Sequence, residues 1–476
     1  MQITTPDFKT NSRSAIADEH LQSALGTLRT NFSRNRSAAV ERLPEFDALR
    51  DAGRDLKNHI LENLDVYLER FEAKAIEAGS VVHWAKTPEQ AREIIAGLCE
   101  SVDARVVGKA KSMIAEEIAL NPFLEQRGFE VRETDLGEYI IQLADEPPSH
   151  IIGPAVHKTV DQVADLFAEH HAQYGKTERL TEGPDLVAEA REVLRDKYFE
   201  ADVAITGANF LIAETGSTVI VTNEGNGDIL QGLAGMHIVL ASLEKVIPTL
   251  DDMATIMRLL GRSATGQDMA AYTTLTTGPR RNGHTDGPEQ VHIVLLDNGR
   301  SEMLGTPLQE VLRCIRCGAC MNHCPVYGAV GGHAYGWVYP GPIGAVMTPA
   351  LIGVEKGGNL PNASTFCGKC EQVCPMRIPL PKMMRHWRRM EFEAALPPTS
   401  QRFGLAVWAW LAKRPALYQA MTGIIARVLG LVAGGRRKFS HLPLAGGWTG
   451  GRDLPAPEGR TFQAQWAARG GSRAKP

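Results

Sequence analysis

The sequence predicts an α/β domain with a largely parallel sheet, followed by a loop-rich cysteine module and a helical C-terminal region. Three observations carry that expectation. Short apolar runs alternate with amphipathic helical patterns between residues 74 and 297, seven of the eight cysteines lie between Cys314 and Cys374, and charge is divided unevenly along the chain. At 476 residues, 43% hydrophobic and 22% charged, the chain is long enough for several domains and has an ordinary globular balance, which excludes collagen-like, disordered and disulfide-scaffold proteins.

Residues 1–73 read as a polar, mostly helical region, with Ile60, Leu64, Val66, Leu68 and Phe71 at mixed helical spacing. An α/β domain is expected over 74–300. Its strand candidates are Val81–Ala85, Arg105–Val107, Tyr139–Leu143, Val203–Thr206, Phe210–Ala213, Thr218–Thr222, His237–Ala241 and Val291–Leu295. Helical patterns fall between them at Ala91–Val102, Ser112–Asn121, Val160–His171, Pro184–Phe199 and Asp251–Leu260. Thr87-Pro88-Glu89 places an N-cap, a proline at the first helical position and an acidic first turn in sequence. Gly and Pro become dense from Cys314 to Pro381, so a loop-rich module is expected over 301–395 and a separate region over 396–476.

The first cysteine motif is Cys314-Ile-Arg-Cys317-Gly-Ala-Cys320-Met-Asn-His-Cys324-Pro325. Three thiolates on one tight loop reach three corners of an iron–sulfur cubane, and the x3-Pro step sends the fourth towards a neighbouring cluster. Zinc also uses C-x2-C pairs, yet has no use for seven cysteines so spaced. The second motif, Cys367-Gly-Lys-Cys370-Glu-Gln-Val-Cys374-Pro375, matches the last three cysteines of that pattern, with Ser364 where its first cysteine would stand. Crossed ligation then gives one complete [4Fe–4S] cluster on Cys314, Cys317, Cys320 and Cys374. A second falls to Cys324, Cys367 and Cys370, with one corner lacking a cysteine. That corner is open to Ser364, another side chain, water, or nothing, as in a [3Fe–4S] form. Two neighbouring clusters pass single electrons. Cys99, in a helical pattern, reads as a small buried apolar residue.

Other polar groups are less specific. Asn209, Glu214, Thr215 and Asn226 sit among turn glycines at strand ends, where α/β folds hold ligands, and hairpin shaping explains them equally well. Glu116 and Glu117 read as a solvated helix face, and His150 and His157 as structural histidines. The loop from His333 to Gly344 reads as a packed cover over the clusters. The sequence has neither an HExxH motif nor a G-x-G-x-x-G dinucleotide fingerprint.

Residues 377–476 hold 17 Lys+Arg against 4 Asp+Glu, a net +13, which leaves 34 against 51, or −17, in the rest. Five of the seven tryptophans also lie there (Trp387, Trp408, Trp410, Trp448, Trp466). The tail's arginines are interleaved with Leu405, Val407, Leu411, Ile424, Ile425, Val428 and Leu429, which suits an amphipathic helix better than a nucleic-acid groove, so no nucleic acid is expected. Met1–His20 lacks the apolar run of a secretory signal, and no run of about 18 uninterrupted apolar residues predicts a spanning helix. A cytoplasmic location is expected, with peripheral contact at the inner membrane face through this tail.

Thr206-Gly-Ala-Asn-Phe, Ala213-Glu-Thr-Gly-Ser and Thr222-Asn-Glu-Gly-Asn-Gly resemble the lactate-utilisation (LUD) domain. With the 4+3 cysteine motifs, His333-Ala-Tyr and Tyr339-Pro-Gly-Pro-Ile-Gly, the order over roughly residues 70–476 is similar to the iron–sulfur lactate utilisation protein B family. The resemblance implies a NagB/RpiA/CoA-transferase-like α/β domain, a ferredoxin-like two-[4Fe–4S] module, and a family-specific C-terminal region. It also implies two companions, a cysteine-rich heterodisulfide-reductase-like subunit and a lone LUD-domain subunit, which together oxidise L-lactate to pyruvate and pass electrons towards the respiratory chain. The competing expectation is that the LUD domain itself acts on a small carboxylate or CoA-ester-like ligand, with the clusters auxiliary.

Overall fold

Thr87 accepts a hydrogen bond from the backbone of Gln90, and Pro88 follows it, so the chain leaving the first strand turns at once into the helix Pro88–Ser101. Repetition of that strand–helix unit builds the central layer. The strands are β1 (Val81–Ala85), β2 (Val106–Lys109), β3 (Glu130–Glu133), β4 (Val203–Gly207), β5 (Phe210–Ile212), β6 (Ser217–Thr222), β7 (Met236–Ser242), β8 (Val246–Ile247), β9 (Tyr272–Thr276) and β10 (Gln290–Leu296). Six form an all-parallel sheet in the order β1-β10-β7-β4-β2-β3. All seven residues of β7 are buried, as expected for a parallel strand covered on both faces. A second sheet, β8-β5-β6-β9, is mixed: β5 runs antiparallel to β6 and parallel to β8, and β6 runs antiparallel to β9.

The computed structural model describes residues 3–443 and 445–469, in two units that meet in sequence at Glu393 and Ala394. Within the first unit, one hydrophobic core joins segments the sequence separates. Phe46, Ile60 and Phe71 from the N-terminal helices pack with Phe210 and Val219 of the second sheet and with Ile315, Met321 and Tyr339 of the cysteine module. A second cluster, including Ile95, Cys99, Val107, Val203 and Ile238, fills the other face of the parallel sheet.

Two local expectations are corrected. Tyr139–Leu143 is not a strand but the end of the helix Leu136–Leu143, started by Asp135, whose carboxylate accepts from the Glu138 backbone. A short apolar run carries no period that separates strand from buried helix, and the Asp-x-x-Glu start decides it. Ser112–Asn121 is two helices, Met113–Glu117 and Leu120–Gln126, broken at Ala119 with φ +51°. Strands β3, β8 and β9 were not expected from the sequence.

In the second unit, the helices Thr399–Ala412 and Pro415–Ala433 are separated where Arg414 precedes Pro415, and Lys438–Phe439 pairs antiparallel with Leu454–Pro455. The 22-residue span Pro415–Arg436 is long and apolar enough to cross a membrane by length and composition. Arg427 lies inside it, so it is not an uninterrupted apolar run.

Candidate metal centre and adjoining cavity

Each cysteine motif is a loop with two consecutive demands on the backbone. In the first, Arg316 (φ +59°) and Gly318 (φ +70°) take left-handed conformations on either side of Cys317, and Gly318 opens the short helix Ala319–Asn322 that carries Cys320. In the second, Phe366 (φ +54°) and Gly368 (φ +79°) flank Cys367 in the same way, and Gly368 opens Lys369–Val373, which carries Cys370. Left-handed φ at two positions two residues apart turns the backbone amides inward, towards the enclosed sulfurs. The backbone N–H of Arg316 lies 3.4 Å from Cys314 Sγ, that of Tyr327 3.5 Å from Cys324 Sγ, and that of Ile378 3.5 Å from Cys374 Sγ.

Electrostatic neighbours sort the thiols. Cys317 and Cys320 each have Cys314 and Cys374 as neighbours, whereas Cys370 has Cys324 and Cys367; Cys320 also has Cys370 beside it, after Cys314, Cys317 and Cys374. Burial pushes Cys317 and Cys370 up to about 12 and Cys374 to about 11, and raises Cys320 and Cys324. Cys367, the exposed member, is lowered by the backbone N–H of Lys369. None of the seven is disulfide-bonded. Buried thiols with inward-facing N–H groups remain protonated until positive charge reaches them, and a metal ion or cluster supplies it. The donor set therefore fits iron–sulfur ligation. Cys324, Cys367, Cys370 and Ser364 line one small cavity of about 20 Å³.

The segment between the motifs covers the thiols, as expected. Tyr327, Tyr335, Trp337 and Tyr339 are buried, and Tyr335 has Cys324 and Cys320 as electrostatic neighbours. The buried histidine His150 braces this module: the Ile152 backbone donates to its Nδ1 at 3.1 Å, which leaves Nε2–H to meet Asn322 Oδ1 at 2.9 Å. His157 lies 2.7 Å from Glu146 Oε2 through Nε2 and 2.7 Å from Ser149 Oγ through Nδ1. Both histidines are held in local networks.

A larger cavity, about 280 Å³, opens at the carboxyl ends of β2, β4 and β7. Ser112, Gly207, Asn209, Asn226 and Ser242 line it from the α/β side, and Arg316, Cys317 and Tyr339 close it from the cysteine module. Ligands in open α/β sheets bind at this edge. The structure brings together Asn209 and Asn226 of the four expected ligand-site residues. Glu214 and Thr215 lie elsewhere: Glu214 accepts from the Leu250 backbone at the start of the helix Leu250–Ala264, and Thr215 Oγ1 lies 2.7 Å from Ser217 Oγ in the turn between β5 and β6.

The cavity's charged groups form two sets. Asp135, Glu224 and Lys111 make one; burial and then Asp135 push Glu224 up, and Lys111 pulls it back. Lys245 and Arg316 make the other. Burial, then Arg316, lowers Lys245 to about 8, and its ammonium has no hydrogen bond or ion pair among the described residues. Arg316 stacks over Tyr339 at 4.5 Å and reaches Glu244 at 3.4 Å through Nη2, while its buried Nη1 has no hydrogen-bond partner among the described residues. Lys245 and Arg316 carry no motif signature. Only their proximity in the fold marks them.

Glu116 and Glu117 are not a solvated helix face. Glu116 pairs with the buried Lys109 at 2.9 Å, and Glu117 is buried against Arg300. A lysine on β2 and an arginine almost two hundred residues away meet the same helix, which no local pattern announces.

Residues 68–296 match the LUD domain family, 310–378 the 4Fe-4S dicluster domain, and 378–471 the family described as lactate utilisation protein B, C-terminal. Lactate utilization protein B of Bacillus velezensis is 40% identical over 466 residues, covering 97% of each chain. Its namesake in Bacillus subtilis strain 168 is 40% identical and covers 98% of each. An Escherichia coli K12 protein named "Uncharacterized electron transport protein YkgF" is 38% identical over 98% of this chain and 97% of its own.

Proposed function

The chain belongs to the lactate utilization protein B family, and from that premise we propose that it is the two-cluster electron relay of a lactate-oxidising assembly. An iron–sulfur electron-transfer role in lactate utilisation already follows from its domains and relatives. The observation that supports the finer reading is the sorting of seven thiols into two crossed sets, Cys314, Cys317, Cys320 and Cys374 against Cys324, Cys367 and Cys370. Clusters held there supply one-electron transfer. The chain's own residues set the conditions for it. Inward N–H groups at Arg316, Tyr327 and Ile378 favour the thiolate forms, the buried tyrosines exclude water, and crossed ligation keeps the two sets adjacent.

In this reading electrons originate in partner subunits, one cysteine-rich and heterodisulfide-reductase-like and one a lone LUD domain, and leave towards the respiratory chain from the cytoplasmic face of the membrane. The net +13 of residues 377–476 suits contact with an anionic surface. The decisive experiment mixes reconstituted chain with L-lactate, with and without the two companions. Cluster reduction only in their presence is expected. Full reduction by the isolated chain overturns the relay.

A second reading has one observation in its favour. The cavity at the strand ends offers two cationic donors with hydrogen-bonding capacity to spare among the described residues, Lys245 Nζ and Arg316 Nη1, beside Cys317. Just below the usual range of about 300–1,000 Å³ for ligand pockets, it suits an anion of a few carbon atoms, in line with a LUD domain that acts on a small carboxylate.

A further inference from the structure

The two cysteine loops are one structure built twice, fifty residues apart. Cys317 recurs as Cys367, Gly318 as Gly368, Cys320 as Cys370, Cys324 as Cys374 and Pro325 as Pro375. The left-handed residues correspond as well, Arg316 at φ +59° with Phe366 at φ +54°. In this correspondence Cys314 falls on Ser364, and the side-chain geometry follows. The backbone N–H of Arg316 points at Cys314 Sγ at 3.4 Å, and that of Phe366 donates to Ser364 Oγ at 3.1 Å. Ser364 Oγ therefore stands in its loop where the first thiol stands in the other.

We propose that Ser364 Oγ is the fourth protein ligand of the second cluster, completing the set Cys324, Cys367 and Cys370. The four residues line the same cavity of about 20 Å³. The neighbouring hydroxyl, Thr365, is engaged with Cys367 and is not the donor. The segment is anchored where a ligand needs it: Arg388 donates to the carbonyls of Pro361 at 3.0 Å and Ser364 at 3.4 Å, and its guanidinium lies 4.2 Å above the Phe366 ring. On ligation the Ser364 O–H bond breaks, an iron–Oγ bond forms and the proton passes to solvent; no electron changes hands. An alkoxide is a harder donor than the three thiolates, so the iron it holds is the exchangeable corner of the pair.

This assignment rests on the reading that the second motif carries a cluster, and the test separates the two. Full-length chain is reconstituted with ⁵⁷Fe as wild type, Ser364→Ala, Ser364→Thr and Ser364→Cys. Iron content, Mössbauer and EPR spectra are recorded before and after mild oxidant, with the first cluster as internal control in each sample. Wild type and Ser364→Thr are expected to hold two complete cubanes. Ser364→Ala should lose one iron from the second cluster at least about tenfold faster and show a [3Fe–4S] signal, while Ser364→Cys keeps that iron longer than wild type. If Ser364→Ala matches wild type in iron content and oxidant response while both clusters are present, the ligand assignment falls and the cluster reading stands. If wild type carries a [3Fe–4S] second cluster from the outset, the assignment falls likewise. If no second cluster forms in any protein, the cluster reading falls and takes the assignment with it.

Discussion

Arg300 and Glu117 form a bidentate ion pair sealed from solvent, Nη1 to Oε1 at 2.9 Å and Nη2 to Oε2 at 2.7 Å, with side chains 1% and 0% exposed. Glu117 belongs to the short helix after β2, whereas Arg300 lies in the connection from β10 to the cysteine module. Tyr339, from the segment between the two motifs, donates its hydroxyl to the same carboxylate at 2.5 Å. One acid thus ties the parallel sheet to the cover over the thiols. Although burial pushes Glu117 up, Arg300, Tyr339 and Asn298 hold it below its ordinary value. Glu117→Ala leaves a buried guanidinium with Glu244 as its one carboxylate partner among the described residues, beside the Asp297 carbonyl. The expected cost is about 3–5 kcal/mol, read as a lower urea midpoint. A midpoint within error of wild type would refute the tie.

His237 on β7 is fully buried, with Nε2 2.8 Å from Thr206 Oγ1 and Nδ1 without a hydrogen-bond partner among the described residues. Burial lowers it to about 4, against about 6.5 in the unfolded chain. Between those values the unfolded state binds a proton that the folded state does not. Stability is therefore complete above about pH 6.5 and falls as pH drops towards 4, by up to about 1.4 kcal/mol per pH unit for this residue. His150, also lowered to about 4 by burial, adds a second proton of the same sign. Denaturant midpoints measured across that window should fall less steeply in His237→Gln than in wild type, and parallel slopes would remove His237 from the account.

Crossed ligation makes a prediction that motif membership does not. Cys374 lies in the second motif but has Cys314 and Cys317 as neighbours. Cys374→Ala should therefore damage the first cluster and spare the second, while Cys370→Ala does the reverse. The two clusters are told apart by EPR of the reduced protein. Damage to the same cluster in both variants would uncross the assignment.

What was legible beforehand follows from how each feature is encoded. Cysteine spacing is local, so the two iron–sulfur motifs could be picked out without a fold, and Ser364 stood out as the position lacking a cysteine. The strands β4, β7 and β10 announced themselves as continuous apolar runs. Tyr139–Leu143 is equally apolar but is too short for a period to show, and the cap at Asp135 outweighed its β-branched content. Lys245 and Arg316 were invisible because their meaning depends on β7 and the first cysteine loop coming together, and Glu117 was misread because its partner Arg300 is remote in sequence. Glu214 and Thr215 resembled ligand residues through a sequence that the turn between β5 and β6 uses for its own hydrogen bonds.

The division at Glu393 gives a test of the tail. A chain ending there keeps the shared core, both cysteine motifs and Trp387, whose indole N–H donates to the Val346 carbonyl at 3.0 Å. It should bind iron as the full chain does, yet lose association with anionic vesicles, since it lacks Pro415–Arg436 and most of the basic excess. Equal vesicle binding by both chains would remove the tail from membrane contact.

The cavity decides between the two functional readings. A carboxylate entering it meets Lys245 Nζ and Arg316 Nη1, neither of which has a hydrogen bond among the described residues, and the buried Asn226 amide, which makes none there either. A charge-assisted hydrogen bond is worth about 1.5–3 kcal/mol, so Lys245→Met should weaken binding of lactate or pyruvate by about tenfold or more. Asn226→Ala, which removes a neutral donor, should cost less. Calorimetric titration of the reconstituted chain with these acids, with chloride at matched ionic strength as control, measures both. Saturable binding that Lys245→Met weakens supports a ligand-binding LUD domain. Lys245 and Arg316 also count Cys314 among their electrostatic neighbours, so the alternative is that they offset thiolate charge alone. In that case wild type binds neither acid, and Lys245→Met lowers the potential of the first cluster without changing any titration.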